Sequence, residues 1–586
     1  MKSIDARIRW TAGFFIFLFL VVAARLFEFG VVDHQFYQAL ADNQQQIIQQ
    51  ITPQRGAIYA QDKNGKLVPL AINKETYTVY ANNKLIAPAN RQSYANALSA
   101  ALQISAVTVA TDLSVPTTYE PLARKLDAAT AQQVQNLNLS GVYTEKESTR
   151  FYPEGMLAAN IIGFLGYGPD GITRTGQYGV EQYYNNALSG TPGKIVNTHD
   201  SAGTPIDNVY LTKPKDGANL VLTIDPNVEF YAQQVLQEAA ASSKAAGGTV
   251  IVMNPQDGSI IAMVDTPTFN PNDYGNVPNA VVYSNEAVSG EYEPGSIFKP
   301  ITISSVMNVG KITPSTTYQD NGVDHIDGYN IYDWNNKAWG LRTMTDVLAW
   351  SLNLGAIDAE EQVPHSDFLQ YIKKFMFGKD TGIDLPGETP GNLNNLNDTQ
   401  SNINYATASF GQGILVTPIQ ILRAIAAIAN GGKLVVPHIA KEIQYVNGTT
   451  KTIAPAPLPE RAISPETSQT VTKMLIAGAE KGFANVINVP GYFFAGKTGT
   501  AQVAETQKAG YSNSTDQSIV SYFPAYNPQF VMIMRLDKPN LPYAEDSVGP
   551  FMKQIEQYIL NYYAITPDYN PQNPPAPPYP VGAPSY

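Results

Sequence analysis

One long, mostly apolar run, with Arg25 and Glu28 as its charged residues, dominates the start of the chain. It covers residues 10–24 and continues past Arg25 to residue 32, with Phe, Leu and Val as its main residue types. A run of this length can cross a bilayer as a helix if the guanidinium of Arg25 lies toward one interface, where it can snorkel. The pattern therefore predicts a transmembrane helix over residues 10–32.

The charges around this run predict its orientation. Three basic residues precede it, at positions 2, 7 and 9. The positive-inside rule then places residues 1–9 in the cytoplasm and the chain after residue 33 outside. A cleaved signal peptide is the alternative, but no small-x-small cleavage site follows the run closely. We expect a retained, single-pass anchor in the cell membrane.

Short patterns of two kinds alternate over residues 33–225. Asn64-Gly65 is the signature of a tight hairpin turn. The Ala, Gln and Leu content of residues 90–140, including Leu122 to Gln135, is typical of helices. No acid/base pair or metal-binding pair stands out in this part of the sequence. We predict an α+β domain with a scaffolding or docking role over residues 33–225.

Strand patterns lie at both ends of residues 226–565, on either side of a helix-rich middle. After a long helix that begins near Asp225, the segments with strand patterns are residues 248–253, 259–264, 492–503, 518–523 and 530–536. The first two predict a hairpin, and an amphipathic helix is expected from Gly549 to Tyr562. The economical arrangement is a five-stranded antiparallel sheet closed from both ends of the segment. A helical subdomain, residues 300–479, would lie on the other side of a cleft.

The last segment, residues 566–586, has a composition of its own. From Pro567 to Tyr586 it holds eight prolines and three tyrosines but one charged residue. Such a segment cannot bury a core, so we predict an extended, mobile and disordered tail. A partner-contacting or wall-contacting role is the alternative.

Composition excludes several classes of function. The net charge of -12 and the lack of any Lys/Arg cluster argue against a nucleic-acid partner. With no cysteine there can be no thiolate nucleophile, disulfide or thiolate metal site. The five histidines lie far apart in sequence, so neither a zinc site nor a Ser-His-Asp triad has support. We expect no metal and no cofactor.

The most informative stretch for chemistry is Tyr292-Glu-Pro-Gly-Ser-Ile-Phe-Lys-Pro300. It places Ser296 and Lys299 three residues apart where an apolar helical run begins, so both side chains share one face of the first turn. An amine at this distance can take the proton of the serine if desolvation or a nearby cation lowers its pKa. Ser-x-x-Lys by itself occurs often by chance, and a solvated helix start is the simpler interpretation.

Two further short motifs change this interpretation. Ser351-Leu-Asn353 follows a helical stretch and offers a hydroxyl and an amide that can relay a proton and hold a peptide carbonyl. Lys497-Thr498-Gly499-Thr500 follows an aromatic strand segment, where the lysine and two hydroxyls can hold a carboxylate and Gly499 leaves room for a substrate. Each motif alone is more often structural than functional. Their order and their convergence on one cleft favour a functional site around Ser296.

The complete set of motifs resembles that of the class B penicillin-binding proteins, the monofunctional peptidoglycan transpeptidases. Besides the anchor, the segments that resemble the family's pedestal motifs are Arg55-Gly-Ala-Ile58, Arg150-Phe-Tyr-Pro-Glu-Gly155 and Gly179-Val-Glu181. Those that resemble its transpeptidase domain are Glu293 to Pro300, Ser409-Phe-Gly-Gln-Gly413, Val416-Thr-Pro-Ile-Gln420 and Gly496 to Gln502. Tyr59 to Gly65 departs from the family, which usually has fewer residues before its Asn-Gly turn.

The resemblance implies a fold. The chain would be an α+β multidomain protein with an N-terminal membrane anchor and an elongated α+β pedestal of the dimerisation type over residues 33–225. The transpeptidase domain, residues 226–565, would be similar to the serine β-lactamases, with a five-stranded antiparallel sheet and a helical subdomain.

The resemblance also implies residue roles. Ser296 would attack the penultimate carbonyl of a stem peptide ending in D-Ala-D-Ala, with Lys299 as base. Ser351 would pass a proton to the leaving amine, and Asn353 would hydrogen-bond the donor. Lys497, Thr498 and Thr500 would hold the terminal carboxylate of the donor peptide, and Gly499 would be part of the same binding strand. An amine of a second stem peptide would then form the cross-link, and β-lactams would act as covalent inhibitors.

Several readings of the biological role stay open. We favour a septal, division-type transpeptidase that works with a membrane glycan polymerase and divisome proteins. The alternatives are an elongation-type transpeptidase, a D,D-carboxypeptidase or β-lactamase, and a non-catalytic β-lactam-sensing protein. Turnover of a β-lactam distinguishes the hydrolases, and the complete set of five polar residues argues against a protein without activity.

Overall fold

The computed structural model describes residues 2–34, 46–171, 173–199, 205–456, 458–505 and 510–584. The strands in these ranges are β1 (Gln46–Ile51), β2 (Ile58–Gln61), β3 (Leu67–Ala81), β4 (Glu120–Leu126), β5 (Val142–Phe151), β6 (Phe164–Tyr167), β7 (Arg174–Gln177), β8 (Gly193–His199), β9 (Pro205–Thr212), β10 (Asn219–Leu222), β11 (Gly247–Met253), β12 (Ile260–Thr266), β13 (Thr317–Asp320), β14 (Asp324–Ile326), β15 (Tyr329–Ile331), β16 (Gly340–Thr343), β17 (Ala440–Gln444), β18 (Thr450–Thr452), β19 (Ala495–Ala504), β20 (Tyr511–Phe523) and β21 (Phe530–Asp537).

The α-helices are short except for the N-terminal one and those that cover the sheets. They are α1 (Lys2–Phe27), α2 (Arg91–Leu102), α3 (Ala106–Asp112), α4 (Ala128–Asn136), α5 (Ala159–Ile162), α6 (Gly179–Tyr183), α7 (Asn185–Ser189), α8 (Pro226–Ser243), α9 (Glu286–Ser289), α10 (Lys299–Asn308), α11 (Met344–Trp350), α12 (Asn353–Glu361), α13 (His365–Lys374), α14 (Asn402–Ser409), α15 (Pro418–Ala429), α16 (Pro465–Lys481), α17 (Ala544–Ser547) and α18 (Gly549–Tyr562).

The chain forms two compact units, and the smaller one comprises residues 1–55 and 189–217. Its helix α1 continues into a π-helical turn, Glu28–Val32, so that the apolar span Ile8–Val32 is 25 residues long. This is one helix long and apolar enough to cross a membrane, as the sequence predicts. Its other feature is a three-stranded antiparallel sheet in the order β1-β8-β9.

The larger unit comprises residues 56–188 and 218–586. Its first part is built on a seven-stranded sheet, with strands in the order β18-β17-β10-β2-β3-β4 and β5 paired to β3. The predicted hairpin at Asn64-Gly65 joins β2 to β3, and Gly65 takes the positive φ of 84° that the tight turn requires. Because β17 and β18 lie in the segment after residue 225 and β17 pairs with β10, this sheet joins the pedestal to the segment that follows it.

One helix prediction in the pedestal is wrong in part. Residues 120–126 are strand β4, which pairs with β3, and only Ala128–Asn136 is helical. The side chain of Asp127 accepts a hydrogen bond from the backbone N of Thr130 at 2.7 Å and so caps the helix at its true start. Helical composition continues through the strand, so pairing with β3 overrides the local preference.

A buried ion pair connects the three pedestal motifs. Nε of Arg150 lies 2.7 Å from Oε1 of Glu181, and both side chains are at most 2% exposed. Nη1 of Arg150 also donates to the backbone O of Gly56 at 2.9 Å. The segments around Gly56, Arg150 and Glu181 therefore meet at one guanidinium, which explains why they occur together in this sequence.

The five-stranded antiparallel sheet is confirmed, in the order β12-β11-β21-β20-β19. Its strands come from both ends of residues 247–537, and both faces are buried. Val250, Val252 and Met532 pack into a core with α8 and α18, whereas Ile251 and Ile533 point into the larger core with the helical subdomain. β19 is an edge strand, so one side of its backbone is free for a ligand.

The C-terminal segment differs from the sequence expectation. The sequence predicts a disordered tail, and residues 566–584 do lack helix and strand. They are nevertheless held against the rest of the larger unit, for example by the backbone N of Phe493, which donates to Oδ2 of Asp568 at 2.8 Å. Backbone groups and aromatic rings make these contacts, and neither is signalled by a proline-rich composition.

Candidate active site

Ser296 lies in a 3-10 turn, Gly295–Phe298, that runs directly into helix α10. The sequence predicts Ser296 inside the first α-helical turn, but it precedes the helix. Residues three apart are eclipsed in a 3-10 turn, so Ser296 and Lys299 still point to the same side. Pro300 lies in the first turn of α10, where its missing N–H is tolerated.

Two neighbouring segments hold this turn in place. Gly295 has a φ of +58°, and a Cβ at this position would lie 2.8 Å from Cβ of Ala501 on β19. On the other side, the backbone N of Gly295 donates to the O of Gly411 at 2.9 Å. The hydroxyl of Thr302 donates to the O of Ser409 at 2.7 Å. The motif Ser409–Gly413 therefore supports the turn that carries Ser296.

Two lysines are buried beside Ser351. Lys299 is 0% and Lys497 1% exposed. Nζ of Lys299 donates to the backbone O of Ser351 at 2.6 Å and to Oδ1 of Asn353 at 2.8 Å, with a longer contact of 3.4 Å to Oγ of Ser351. Nζ of Lys497 donates to the same Oγ at 2.9 Å and to the O of Thr498 at 2.8 Å. The hydroxyl of Ser351 thus lies between both amines.

Burial and proximity change the pKa values of these amines. Desolvation, and then the positive charge of Lys497, hold the pKa of Lys299 well below its usual value, while Asp333 acts in the opposite direction. Desolvation lowers the pKa of Lys497 to about 7, against the attraction of Glu545. Lys497 can therefore lose its proton near neutral pH, and Lys299 loses its proton far more readily than an exposed lysine.

The segment that carries Ser351 and Asn353 has an unusual backbone. Helix α11 ends at Trp350, and Ser351 takes a left-handed conformation with φ of 60°. Asn353 is the first residue of α12 and donates from Nδ2 to the O of Tyr332 at 2.9 Å. Because the two helices meet at this residue pair, Ser351 and Asn353 both point toward Lys299.

Asp333 is a member of this cluster that sequence reasoning missed. It is 1% exposed, and its Oδ1 accepts from the backbone N of Asn353 and, at 3.2 Å, from that of Leu354. Burial and the neighbouring Asp320 raise the pKa of Asp333 to about 8. The residue lies 20 positions before Asn353 in a polar loop, and no motif there distinguishes it.

The strand with Lys497 has two differently occupied faces. Lys497 and Gly499 face Ser351 and the serine turn, since a Cβ at Gly499 would lie 2.9 Å from Cγ2 of Ile297. Gly499 therefore provides close packing against the turn of Ser296, a reason different from the room for substrate that the sequence suggested. Oγ1 of Thr500 accepts from the backbone N of Ala544 at 3.3 Å.

The turn α17 adds a carboxylate that the sequence did not reveal. Glu545 is hydrogen-bonded by Thr498 and lies near Lys497, and burial raises its pKa. Thr498 and Thr500 are thus in contact with α17. Its acidic residue lies about 50 positions after Lys497, beyond the reach of a local motif.

The structure brings four of the predicted site residues into one hydrogen-bonded cluster: Lys299, Ser351, Asn353 and Lys497. Ser296 lies beside it, half-buried, on the turn that packs against Gly499. In the ranges described above, no group of three or more His, Asp or Glu side chains is placed to hold a metal ion. The arrangement is that of a serine beside two amines of lowered pKa, which suits nucleophilic acyl transfer.

Two protein families match the chain. The penicillin binding protein transpeptidase domain matches residues 248–557. The penicillin-binding protein dimerisation domain matches residues 50–222. Together they cover both parts of the larger unit.

Individual relatives agree with this match. Stage V sporulation protein D of Bacillus subtilis is 32% identical, over 97% of this chain and 87% of its own length. Peptidoglycan D,D-transpeptidase FtsI of Escherichia coli is 28% identical, over 89% of this chain and 86% of its own. The crystal structure of penicillin binding protein 3 from Mycobacterium tuberculosis complexed with aztreonam has a TM-score of 0.68 at 26% identity, covering 89% of this chain and 99% of that one.

Proposed function

The chain belongs to the class B penicillin-binding proteins and is a serine-type peptidoglycan D,D-transpeptidase, and we propose that Ser296 carries the acyl group with Lys299 as its base. One observation carries the proposal of roles: the two buried amines of Lys299 and Lys497 both contact Ser351, next to the turn of Ser296. The substrate is the stem peptide of peptidoglycan, and β-lactams bind at the same site.

The contacts of Lys299 support its role as base. A neutral lysine amine has two N–H donors and one lone pair. The two shortest contacts of Nζ are to the O of Ser351 and Oδ1 of Asn353, at 2.6 and 2.8 Å. These two acceptors take both donors of the neutral amine, so the lone pair is left for the hydroxyl proton of Ser296.

Acylation then proceeds through a tetrahedral intermediate, and a proton moves both when the intermediate forms and when it collapses. Oγ of Ser296 forms a bond to the penultimate carbonyl carbon as its proton passes to Lys299. Collapse of the tetrahedral intermediate breaks the bond to the terminal D-Ala. Ser351 gives its proton to the leaving amine and regains one from Lys299. The contact of 3.4 Å between Nζ of Lys299 and Oγ of Ser351 supports this transfer.

Strand β19 is suited to bind the donor. It is the edge of its sheet, so an extended peptide can pair with its free side. The backbone N–H groups of Ser296 and Thr500 would form the oxyanion hole, a contribution of about 3 to 4 kcal/mol per donor. Lys497, Thr498 and Thr500 would bind the terminal carboxylate, which then competes with Glu545 for the same donors.

The fate of the acyl group separates this function from its rivals. In a transpeptidase an amine of a second stem peptide attacks the ester, whereas in a carboxypeptidase or β-lactamase water does so. Incubation of the purified protein with a peptide ending in D-Ala-D-Ala and an amine acceptor tests this by mass spectrometry. A cross-linked product is expected. Release of D-Ala with hydrolysed peptide alone, or turnover of a β-lactam, would contradict the assignment.

A septal role is the favoured biological setting. The similarity to FtsI of Escherichia coli supports it, and in that role the protein would work with a membrane glycan polymerase and divisome proteins. An elongation role is the alternative. Imaging of a fluorescent fusion is expected to show a septal band, and uniform labelling of the lateral wall would contradict the division role.

The apolar helix supports a membrane anchor with a cytoplasmic N-terminus. Basic residues precede the span Ile8–Val32, and the catalytic part would lie outside the membrane. The natural chain has no cysteine, so single cysteines report topology cleanly. In spheroplasts, Val446→Cys in an exposed turn is expected to react with a membrane-impermeant maleimide, and Ser3→Cys only after lysis. The reverse pattern would contradict this orientation.

A further inference from the structure

The C-terminal segment contacts two of the elements that form the active site. We call residues 565–584 the C-terminal strap. Its first part is attached beside the start of β19: the hydroxyl of Tyr492 donates to the O of Ile565 at 2.7 Å, and the backbone N of Asp568 donates to the O of Gly491 at 2.8 Å. The ring of Tyr569 packs 4.9 Å from that of Phe493. These contacts lie directly before the strand that carries Lys497.

The last part of the strap is attached to helix α11. The backbone N of Gly582 donates to Oδ1 of Asp346 at 2.7 Å, and its O accepts from Nε1 of Trp350 at 2.8 Å. Nη1 of Arg342 donates to the O of Ala583 at 2.7 Å. Tyr579 and Val581 pack against the larger hydrophobic core, to which the helical subdomain contributes.

These hydrogen bonds attach the strap to both ends of α11. Asp346 belongs to the capping box at its start, where its other oxygen, Oδ2, accepts from the backbone N and the hydroxyl of Thr343, each at 2.9 Å. Trp350 is the last helical residue and immediately precedes Ser351. The strap therefore bridges the strand of Lys497 and the helix that ends at Ser351.

We propose that the C-terminal strap is a positioning element of the active site, in which Gly582 holds Ser351 in register with Lys299 and Lys497 through Asp346 and Trp350. The inference rests on the proposed role of Ser351 in acylation. Misplacement of a catalytic group by about 1 Å can cost on the order of a hundredfold in rate, so a strap that fixes α11 at both ends affects the chemistry without touching the substrate.

The composition of the strap suits this task. Eight prolines between Pro567 and Tyr586 restrict the free chain to extended conformations. Ordering such a segment costs less conformational entropy than ordering a flexible chain of the same length. A few backbone hydrogen bonds and two apolar side chains can then hold it.

A matched pair of proline substitutions in the full-length protein tests the proposal. Gly582→Pro removes the N–H that donates to Oδ1 of Asp346. It also adds a Cβ that would lie 2.6 Å from Nη1 of Arg342 and 3.3 Å from Oδ1 of Asp346. Ala576→Pro is the control, since Ala576 is exposed and already lies between two prolines. A truncation after Pro578 removes all contacts of Gly582 and Ala583 and so detaches the strap from α11.

The measurements are the limiting acylation rate by a fluorescent penicillin, the half-saturating concentration, the pH profile and the thermal midpoint. For Gly582→Pro and the truncation we expect a ten- to hundredfold lower limiting rate, on the order set by a displacement of about 1 Å, with an unchanged thermal midpoint. Loosening Ser351 removes acceptors from the ammonium form of Lys299, so the acid limb of the profile should move to lower pH. Ala576→Pro should match the unmodified chain.

Wild-type limiting rates and pH profiles in Gly582→Pro and the truncation would overturn the proposal. Hydrogen exchange of residues 344–351 provides a readout that does not depend on labelling: faster exchange in Gly582→Pro supports the strap, and unchanged exchange contradicts it. Loss of labelling in the unmodified chain would instead contradict the proposed function, so the two failures are distinguishable.

Discussion

At the scale of single residues, the site depends on two amines that share one hydroxyl. Burial lowers the pKa of both lysines, and the positive charge of Lys497 further favours the neutral form of Lys299, since two positive charges repel in a desolvated setting. The same environment that suits Lys299 to its proposed role as base leaves Lys497 able to bind a carboxylate while it is protonated. Burial of lysines is rare in proteins, and here it lowers the pKa of both amines, as the proposed chemistry requires.

Replacement of Lys299 tests its role as base. We expect Lys299→Ala to lower the acylation rate at least about a hundredfold, the usual contribution of a general base, while the protein stays folded. Rapid-quench measurement with a fluorescent penicillin reports the rate. Lys311→Ala, at an exposed lysine after the same helix, is the matched control and should acylate normally. Normal rates for Lys299→Ala would remove it from the mechanism.

The pH dependence of acylation follows from the lowered pKa values. Protonation of Lys299 at low pH removes the base and produces the acid limb. Lys497, with a pKa of about 7, loses its charge above that value and binds the donor carboxylate less well, which produces an alkaline limb in the second-order rate constant. Lys497→Arg, which stays charged, is expected to lose the alkaline limb. A profile that rises to a plateau above pH 8 in the unmodified chain would contradict this assignment.

Much of this site could be predicted from the sequence, and its limits are physical. Ser296, Lys299, Ser351, Asn353 and Lys497 occur in short motifs whose spacing carries the signal. Asp333 and Glu545 occur in no such motif, because each reaches the site only through tertiary packing of a loop or turn. Distances between residues about 50 positions apart are set by the fold and cannot be read from local pattern.

At the scale of secondary-structure elements, the serine turn and β19 are packed too closely for side chains between them. Gly295 meets Ala501 and Gly499 meets Ile297. The strands of the five-stranded sheet were predictable because both faces are apolar over short runs. The strand Glu120–Leu126 was not, because its composition is helical and only its pairing with β3 makes it a strand.

A Cβ at Gly499 should separate these elements. It would lie 2.9 Å from Cγ2 of Ile297 and 3.0 Å from Oγ of Ser518, so Gly499→Ala must shift the turn that carries Ser296. We expect an acylation rate about tenfold or more lower, because small displacements at the reacting groups are costly. Gly275→Ala, where a Cβ meets nothing within 4 Å, should have no effect. Equal rates for the two variants would show that the close packing is not needed.

At the scale of the whole molecule, the pedestal and the transpeptidase segment form one unit with a shared sheet. β10 pairs with β2 of the pedestal on one side and with β17 of the transpeptidase segment on the other, so the seven-stranded sheet continues from one into the other. The sequence predicted two separate domains from a change in pattern near residue 225. It could not predict that strands from both would pair, since such pairing depends on contacts distant in sequence.

The buried ion pair of the pedestal should matter for stability. Arg150→Ala removes the guanidinium that forms the buried ion pair with Glu181, and breaking a buried pair costs about 3 to 5 kcal/mol. Thermal unfolding should therefore begin several degrees lower. Arg124→Ala is the control, since its contact with Glu147 is 3.9 Å and exposed, and such pairs contribute about 1 kcal/mol or less. Similar thermal midpoints for both variants would show that Arg150 does not hold the pedestal motifs together.

The central claim is that Ser296 carries the acyl group, and its most direct test is covalent labelling of the full-length protein by a fluorescent penicillin. Mass spectrometry of the labelled, digested chain should locate the adduct on the peptide that contains Ser296. Ser296→Ala should abolish labelling and leave the thermal midpoint unchanged. Undiminished labelling of Ser296→Ala, or an adduct on another residue, would contradict the account.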